Sequence, residues 1–450
     1  MQPDSTARQG FLFNVNVVFL SQIAIYGLAF GLRVVLARGL GDSDLGTYSL
    51  FYVAVLVAGG VGNLGVGLGN IYFLNKGDYP YGVLLAGSLF VLVAAAAATG
   101  LAVALWGLVY GDELFVSGRA FWLYAAALPA VIAYVLLTSF LHGSSRFVAL
   151  TAVAVTQGVI GLVAVGVLDV LGELDVFSAI AAWTGSFWAA NLLALALVRL
   201  PQVDVAALLS PRWGVLAEQV RYGAQGQIAN LAQLFNYRLD QFLVAAFTTR
   251  ADVGHYAVAV GVGESVWWIS SAVALVLLPR LTAMKSEHAA EATPVICRNT
   301  LLVSALGALV LIAVSWLAIR IVFGREYDAS YLPLVLLMPG IVAASATRVL
   351  GSYLFSQGRI IYNTYATFIA LGLTLALDFA LIPWLEVPGA AIASSVAYVA
   401  SLIATLYWYR RVSGGTVREA LVAEPADAKL YVQVLKRLLG RGRPVEDAAE

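Results

Sequence analysis

From residue 11 to residue 408 the chain alternates about a dozen apolar stretches, each long enough to cross a bilayer, with short polar connectors. Inside a bilayer no water satisfies backbone N–H and C=O groups, so each crossing segment must close its hydrogen bonds internally, as a helix. A spanning helix needs roughly 20 apolar residues. The expected spans are 11–37, 45–67, 82–110, 120–141, 147–168, 176–200, 223–247, 253–279, 297–322, 331–355, 360–382 and 388–408. The fold class that follows is all-α: an integral membrane protein of about twelve transmembrane helices.

Hydrophobic residues make up 61% of the 450 and charged residues 12%, which is about half the charged share of a soluble domain. The formal net charge is zero. No stretch carries the basic excess that phosphate backbones demand, so no nucleic-acid partner is expected; the partners are membrane lipids and whatever is transported. Cys297 alone excludes an internal disulfide, and His142, His255 and His288 lie far apart near span ends, so neither a metal site nor a cofactor is expected. The first apolar stretch is too long for a signal-peptide core and reads as a retained helix. No connector is long enough to hold a folded domain, which argues against an enzyme. Lys and Arg near span ends collect on the cytoplasmic side. With the N-terminus inside, the connectors and tail carrying Lys76, Arg146, Arg212, Arg280, Arg359, Arg410 and Arg411 fall inside. A multi-pass protein of the cytoplasmic membrane with both termini in the cytoplasm is expected.

An internal repeat organises the chain. Ala37, Asp44, Gly46 and Tyr48 match Ala245, Asp252, Gly254 and Tyr256 at an offset of 208 positions. Phe140 and Gly143 echo Phe355 and Gly358 a few residues further on. Two six-helix lobes of the same orientation follow, related by an axis along the membrane normal. The expected domains are a lobe over 1–200, a cytoplasmic interfacial linker helix over 201–222, a lobe over 223–412 and a cytoplasmic tail over 413–450. In the tail, Leu430, Val434, Leu438 and Leu439 alternate with Lys429, Lys436, Arg437 and Arg441, which suits either a helix resting on anionic lipid or a solvated tail.

Several segments together resemble one known family. They are LGDSDLGTYSL after the first span, YRLDQFLVAAF and DVGHYAVA in the seventh and eighth, FGREYDASYLPL before the tenth, SQGR after it, and LIPWLEVPGAAIASSVAY around the last connector. In this order, from Gly31 to Tyr409, they resemble the polysaccharide transporter family, in its repeat-unit or O-antigen flippase-like branch, of the multidrug/oligosaccharidyl-lipid/polysaccharide superfamily. The resemblance implies a V-shaped pair of lobes that flips a polyprenyl-pyrophosphate-linked oligosaccharide across the membrane by alternating access, alongside polysaccharide biosynthesis proteins. The alternative within the superfamily is a cation-coupled exporter of drugs or metabolites. A site for organic cations would be dominated by carboxylates.

An ionisable group deep in a bilayer costs roughly 2.5–3.5 kcal/mol or more and needs a partner or a wet cavity. Arg33, Arg238, Asp240, Glu264, Arg348 and Asp378 fall inside the expected spans. Arg33, Arg238 and Arg348 are candidates for holding the pyrophosphate, because a guanidinium binds phosphate oxygens in a fork and stays charged. Glu264 lies at the expected depth of Arg238 and would compete for it, with H+ or Na+ as the coupling ion; a plain buried pair is the other reading. Asp240 points away from Arg238 on a helix, and the resemblance implies a packing or gating acid there. Asp378, expected near the outer surface, reads as a cap. Asn63 and Asn70 beside Tyr72, and Gln233 with Gln225, Gln227 and Asn230, are either sugar-binding amides or interhelical hydrogen bonders. Gly60, Gly62 and Gly65 satisfy G-x-G-x-x-G, but no strand precedes them, so close helix packing accounts for them.

Overall fold

The structure, a computed structural model, describes residues 5–198, 212–424 and 427. In chain order the helices are α1 (Ser5–Gly62), α2 (Val66–Lys76), α3 (Tyr81–Tyr110), α4 (Tyr124–Gly143), α5 (Phe147–Leu171), α6 (Val176–Leu197), α7 (Trp213–Phe247), α8 (Arg250–Gly263), α9 (Trp267–Ala283), α10 (Ser286–Val322), α11 (Tyr331–Ser356), α12 (Ile360–Ser413) and α13 (Val417–Leu421). The chain is a multi-pass, all-α membrane protein.

Eight helices among the described residues are long and apolar enough to cross a membrane. The two longest are long enough for two crossings: Ser21–Gly62 has 42 residues and Ile360–Ser413 has 54. These are ~63 and ~81 Å long at 1.5 Å per residue, against a hydrocarbon core of about 30 Å. Each is broken once, at Gly41 (φ 77°, ψ 175°) and at Glu386 (φ 54°, ψ −133°), between two expected spans. At the second break the chain doubles back: a Cβ on Gly389 would lie 2.7 Å from the Leu381 carbonyl oxygen. Eight positions along a straight helix would separate them by ~12 Å.

Three segments depart from the sequence reading. The second span does not run unbroken to residue 67; it stops at Gly62, passes through Leu64 (φ 52°) and Gly65 (φ 76°), and resumes as α2. Asn63 supports the break, its Oδ1 accepting from the Gly65 N–H at 2.9 Å and its Nδ2 donating to the Gly60 carbonyl at 3.0 Å. The eighth span is interrupted by a 3-10 turn, Glu264–Val266, between α8 and α9. Residues 213–222 are not a separate linker helix. They are the first turns of α7, which runs unbroken to Phe247 because nothing between them terminates a helix. Residues 201–211 of that linker and the amphipathic tail segment 428–443 lie outside the described residues.

The repeat detected in the sequence meets itself in space. A Cβ on Gly46 would collide with the Arg250 carbonyl oxygen, and a Cβ on Gly254 would collide with the Asp42 carbonyl oxygen. Gly46 and Gly254, like Asp42 and Arg250, are separated by 208 positions, so exchanging the two repeats turns one contact into the other. Only glycine permits backbones to approach this closely. Around the pair, the Tyr327 hydroxyl donates to the Ala37 carbonyl at 2.9 Å, Arg38 donates to the Ile321 and Val322 carbonyls, and His255 Nε2 lies 3.3 Å from Asp42 Oδ2.

The described residues divide into two compact units. The first comprises Met1–Val262, Val314–Leu336 and Leu371–Ser394; the second comprises Gly263–Ala313, Leu337–Ala370 and Ser395–Glu450. In the first, Phe73, Leu84, Leu85, Phe140 and Leu141 form an apolar core, with Phe51, Tyr124 and Trp183 in ring contact beside it. The core of the second gathers Leu277, Leu281, Cys297, Val349, Tyr353 and Tyr409, the two tyrosine rings meeting edge-on at 5.2 Å.

The second unit also holds the chain's exit from α12. α13 opens with a capping box between Thr416 and Glu419. Beyond it, the buried Arg298 grips Asp427 with two parallel bonds of 2.7 and 2.9 Å and reaches Glu424 at 3.2 Å. The guanidinium holds the Asp427 carboxyl down at about 2. Because that folded value lies below the ordinary 3.8, the latch stabilises the fold above about pH 4 and is lost as pH falls toward 2. Arg298→Ala is expected to lower the hydrogen-exchange protection of α13 about tenfold at pH 7. The unmodified chain should lose that protection only in the acid range; equal protection in both chains at pH 7 would contradict the latch.

Candidate functional site

The first unit contains a cavity of about 220 Å³ on which α1, α5, α6, α7 and α8 converge. Two of the three expected arginines line it. Arg33 comes from the first segment of α1, and Arg238 from the middle of α7. The Arg33 guanidinium lies over Gly261, occupying the space that a side chain on that residue would fill. Arg238 donates to the Tyr237 carbonyl at 3.3 Å. None of the described residues lining the cavity is acidic.

The remaining wall is aromatic and amide. Tyr48, Tyr52, Trp183 and Phe187 form a chain of ring contacts, with Tyr52 edge-on to Trp183 at 5.5 Å and Trp183 against Phe187 at 4.9 Å. Gln157 and Gln241 supply amides. Gln241 was not singled out from the sequence. The signal lay in its spacing, since residues three apart share a helix face and Gln241 follows Arg238 by three positions.

The other candidates lie elsewhere. Arg348, in the second unit, donates to Ser270 and Ser271 Oγ, both at 3.2 Å, and covers the Trp267 ring at 4.4 Å. Trp267 is itself buried and bonded to the Ile341 carbonyl. Glu264, also in the second unit, sits half-buried at the 3-10 turn. Asn70 does not face a vestibule: it is fully buried, donates to Ser88 and Ser139 Oγ at 2.9 Å each, and accepts from Gln219 Nε2 at 2.6 Å. Asn63 serves the helix break described above, joined there by Gln227, which donates to the Gly60 carbonyl at 2.7 Å. For both asparagines interhelical and local bonding replaces the sugar-facing role. Gln233 is half-buried on α7 and is not among the residues lining the cavity.

Asp240 faces away from the cavity, as helical geometry requires two positions after Arg238. Its Oδ2 accepts from the Tyr256 hydroxyl at 2.5 Å and from Ser394 Oγ at 3.1 Å, and its Oδ1 from the Gln241 N–H at 2.8 Å. One turn earlier, Asn236 accepts from Thr374. Asp378 lies one turn beyond Thr374 on α12. It is not a surface cap: it is fully buried and neither carboxyl oxygen has a hydrogen-bond partner. Pro383 and the chain reversal follow it too closely in sequence for hydropathy to show how deep it lies.

A family model described as "Polysaccharide biosynthesis protein" matches residues 35–332. A probable low-salt glycan biosynthesis flippase of Haloferax volcanii is 23% identical over 216 residues, which are 45% of this chain and 46% of that protein, so the match spans less than half of that relative's length. Among solved structures, a lipid II flippase in an inward closed conformation superposes with a TM-score of 0.73 at 11% identity, covering 97% of this chain and 94% of the other. An inward-facing multidrug transporter of the multidrug/oligosaccharidyl-lipid/polysaccharide superfamily gives 0.67 at 15% identity, with 87% and 94% covered. These likenesses show that the chain shares its fold with both structures.

Proposed function

The chain belongs to the polysaccharide biosynthesis protein family, and from that premise we propose that it flips a saccharide carried on a polyprenyl diphosphate from the cytoplasmic to the outer leaflet. Two six-helix lobes, 1–200 and 223–412, alternate access to the cavity during synthesis of a surface polysaccharide. The observation that carries this reading is the charge of the cavity: two guanidinium groups and no carboxylate among its described lining residues. Such a site attracts a diphosphate and repels an organic cation. Aromatic faces beside the arginines suit the apolar side of a sugar ring.

The carboxyl pair supplies the coupling. A buried carboxylate with neither oxygen bonded is too costly to persist alone, so Asp378 takes up a proton or a sodium ion beside Asp240. The hydroxyls of Tyr256, Ser394 and Thr374 and the Asn236 amide surround these two helix faces with oxygen ligands. Filling and emptying this site biases the lobes, because only a difference in affinity between states shifts their populations.

The test uses the full-length chain in liposomes and a fluorescent short-chain polyprenyl diphosphate bearing one N-acetylhexosamine. Protein-dependent movement of this lipid between leaflets is expected, accelerated about tenfold by a sodium or proton gradient. In Asp378→Asn the acceleration should disappear. Movement of an organic cation such as ethidium, with none of the diphosphate lipid, would overturn the proposal.

A further inference from the structure

Gln241 holds an unmet hydrogen-bonding capacity at the cavity. Its side chain is 5% exposed, it lines the same space as Arg33 and Arg238, and its Oε1 is sealed from solvent with no hydrogen-bond donor. An amide oxygen left in this condition costs free energy that a ligand carrying a donor would recover. Nothing in the packing of α7 accounts for it. An apolar residue of similar size would fill the same space without the cost, as Ala257 and Val260 do on the facing helix.

The position indicates which donor. Gln241 lies one helical turn from Arg238, so the Cβ atoms of the two stand about 5–6 Å apart on one helix face. A diphosphate held by the guanidinium groups has two substituents. The polyprenyl chain offers no hydrogen-bond donor. The first sugar does, and its donor nearest the diphosphate is the hydroxyl or acetamido N–H on carbon 2. The ring faces of Tyr52 and Trp183 lie on the same cavity, where they would cover the apolar side of that sugar.

We infer that Gln241 reads the first sugar of the lipid-linked saccharide, accepting a hydrogen bond from the donor on carbon 2, and so sets which saccharide is carried. This rests on the proposed diphosphate site and deepens it. Because a site built to bond a donor rejects an analogue lacking it far more strongly than a hydrophobic pocket rejects a missing methylene, one amide is enough to discriminate.

The experiment measures binding by the full-length protein in nanodiscs. The probes are a short-chain polyprenyl diphosphate, the same lipid bearing N-acetylglucosamine, and the same lipid bearing 2-deoxyglucose. The acetamido sugar is expected to bind about tenfold more tightly than the 2-deoxy sugar in the unmodified chain, and Gln241→Met should bring that ratio near one. Gln241→Glu, which keeps an acceptor oxygen, should preserve a ratio well above one. An unchanged ratio in Gln241→Met overturns the inference. So does equal binding of the two sugars by the unmodified chain, a comparison that needs no variant to fold; arginine-dependent binding of the bare diphosphate would then leave the proposed function standing. Failure to bind any diphosphate removes both.

Discussion

Gly254→Val is expected to leave a folded, membrane-inserted protein whose transport falls roughly 10–100-fold, its population shifted toward a form with the Gly46–Gly254 end open. In this structure the backbones at that end touch through two repeat-related contacts, Gly46 on the Arg250 carbonyl and Gly254 on the Asp42 carbonyl. A flexible side chain could move aside; a backbone carbonyl within a helix cannot. Overpacking of this kind costs about 1–3 kcal/mol or more, and in the proposed alternating cycle the added atoms clash only when this end is closed. The cost therefore falls on one state of the transport cycle. Converting a 1:99 equilibrium to 99:1 takes about 5.5 kcal/mol, so a single valine slows the cycle and Gly46→Val with Gly254→Val arrests it. Gly100→Val and Gly166→Val are the controls, since nothing lies within 4 Å of a Cβ at either position. The state is read with a membrane-impermeant thiol reagent on Leu45→Cys, which is 3% exposed here. Labelling should rise in the glycine variants and not in the controls. Normal transport by the double variant would mean that this contact does not separate during the cycle.

That contact shows what could be read in advance and what could not. The echo of LGDSDLGTY in RADVGHY was visible as a repeat, because both copies answer to the same steric demand. That the two copies meet each other was not visible, since a repeat carries no statement of distance. The multi-pass, all-α class was legible for a simple reason: lipid imposes one length and one composition on a crossing. The breaks inside spans escaped notice because hydropathy averages over them. Asn63 through Gly65 interrupts an apolar run whose mean stays high, and Glu264 was read as a mid-span charge, whereas it sits on the turn that divides the eighth span.

The polar residues divide in the same way. Asn70 is bonded through three other segments, Ser88, Ser139 and Gln219, and no local pattern shows partners that lie 18, 69 and 149 positions away. Asp240 was placed correctly away from Arg238 because helical spacing alone decides it. Its partners Tyr256 and Ser394 were out of reach of that argument. Arg348 is grouped with Arg33 and Arg238 by its charge within a span, and its stacking on Trp267 separates it from them.

Removing both cavity arginines should reverse the charge preference of the site, with the largest loss of binding among the substitutions considered. A charge-assisted hydrogen bond contributes about 1.5–3 kcal/mol, so Arg33→Ala or Arg238→Ala alone is expected to weaken binding of the polyprenyl diphosphate roughly 10–100-fold. The double variant should lose more than the product of the two. When one guanidinium is gone, the other no longer suffers its like charge and can re-aim at the phosphate, and residues that share a ligand do not contribute additively. A loss on the order of 1,000-fold or more is the expectation for the pair, and Arg→Lys at either position should recover only part of it, because an ammonium cannot bind two oxygens in a fork. The same double variant should bind an organic cation such as ethidium more tightly than the unmodified chain does, since the field that repelled it has been removed. The opposite signs for anion and cation distinguish an electrostatic site from general damage, which would weaken both. If the double variant still binds the diphosphate at full strength while its fold is intact, the two guanidinium groups are structural and the cavity is not where the headgroup sits.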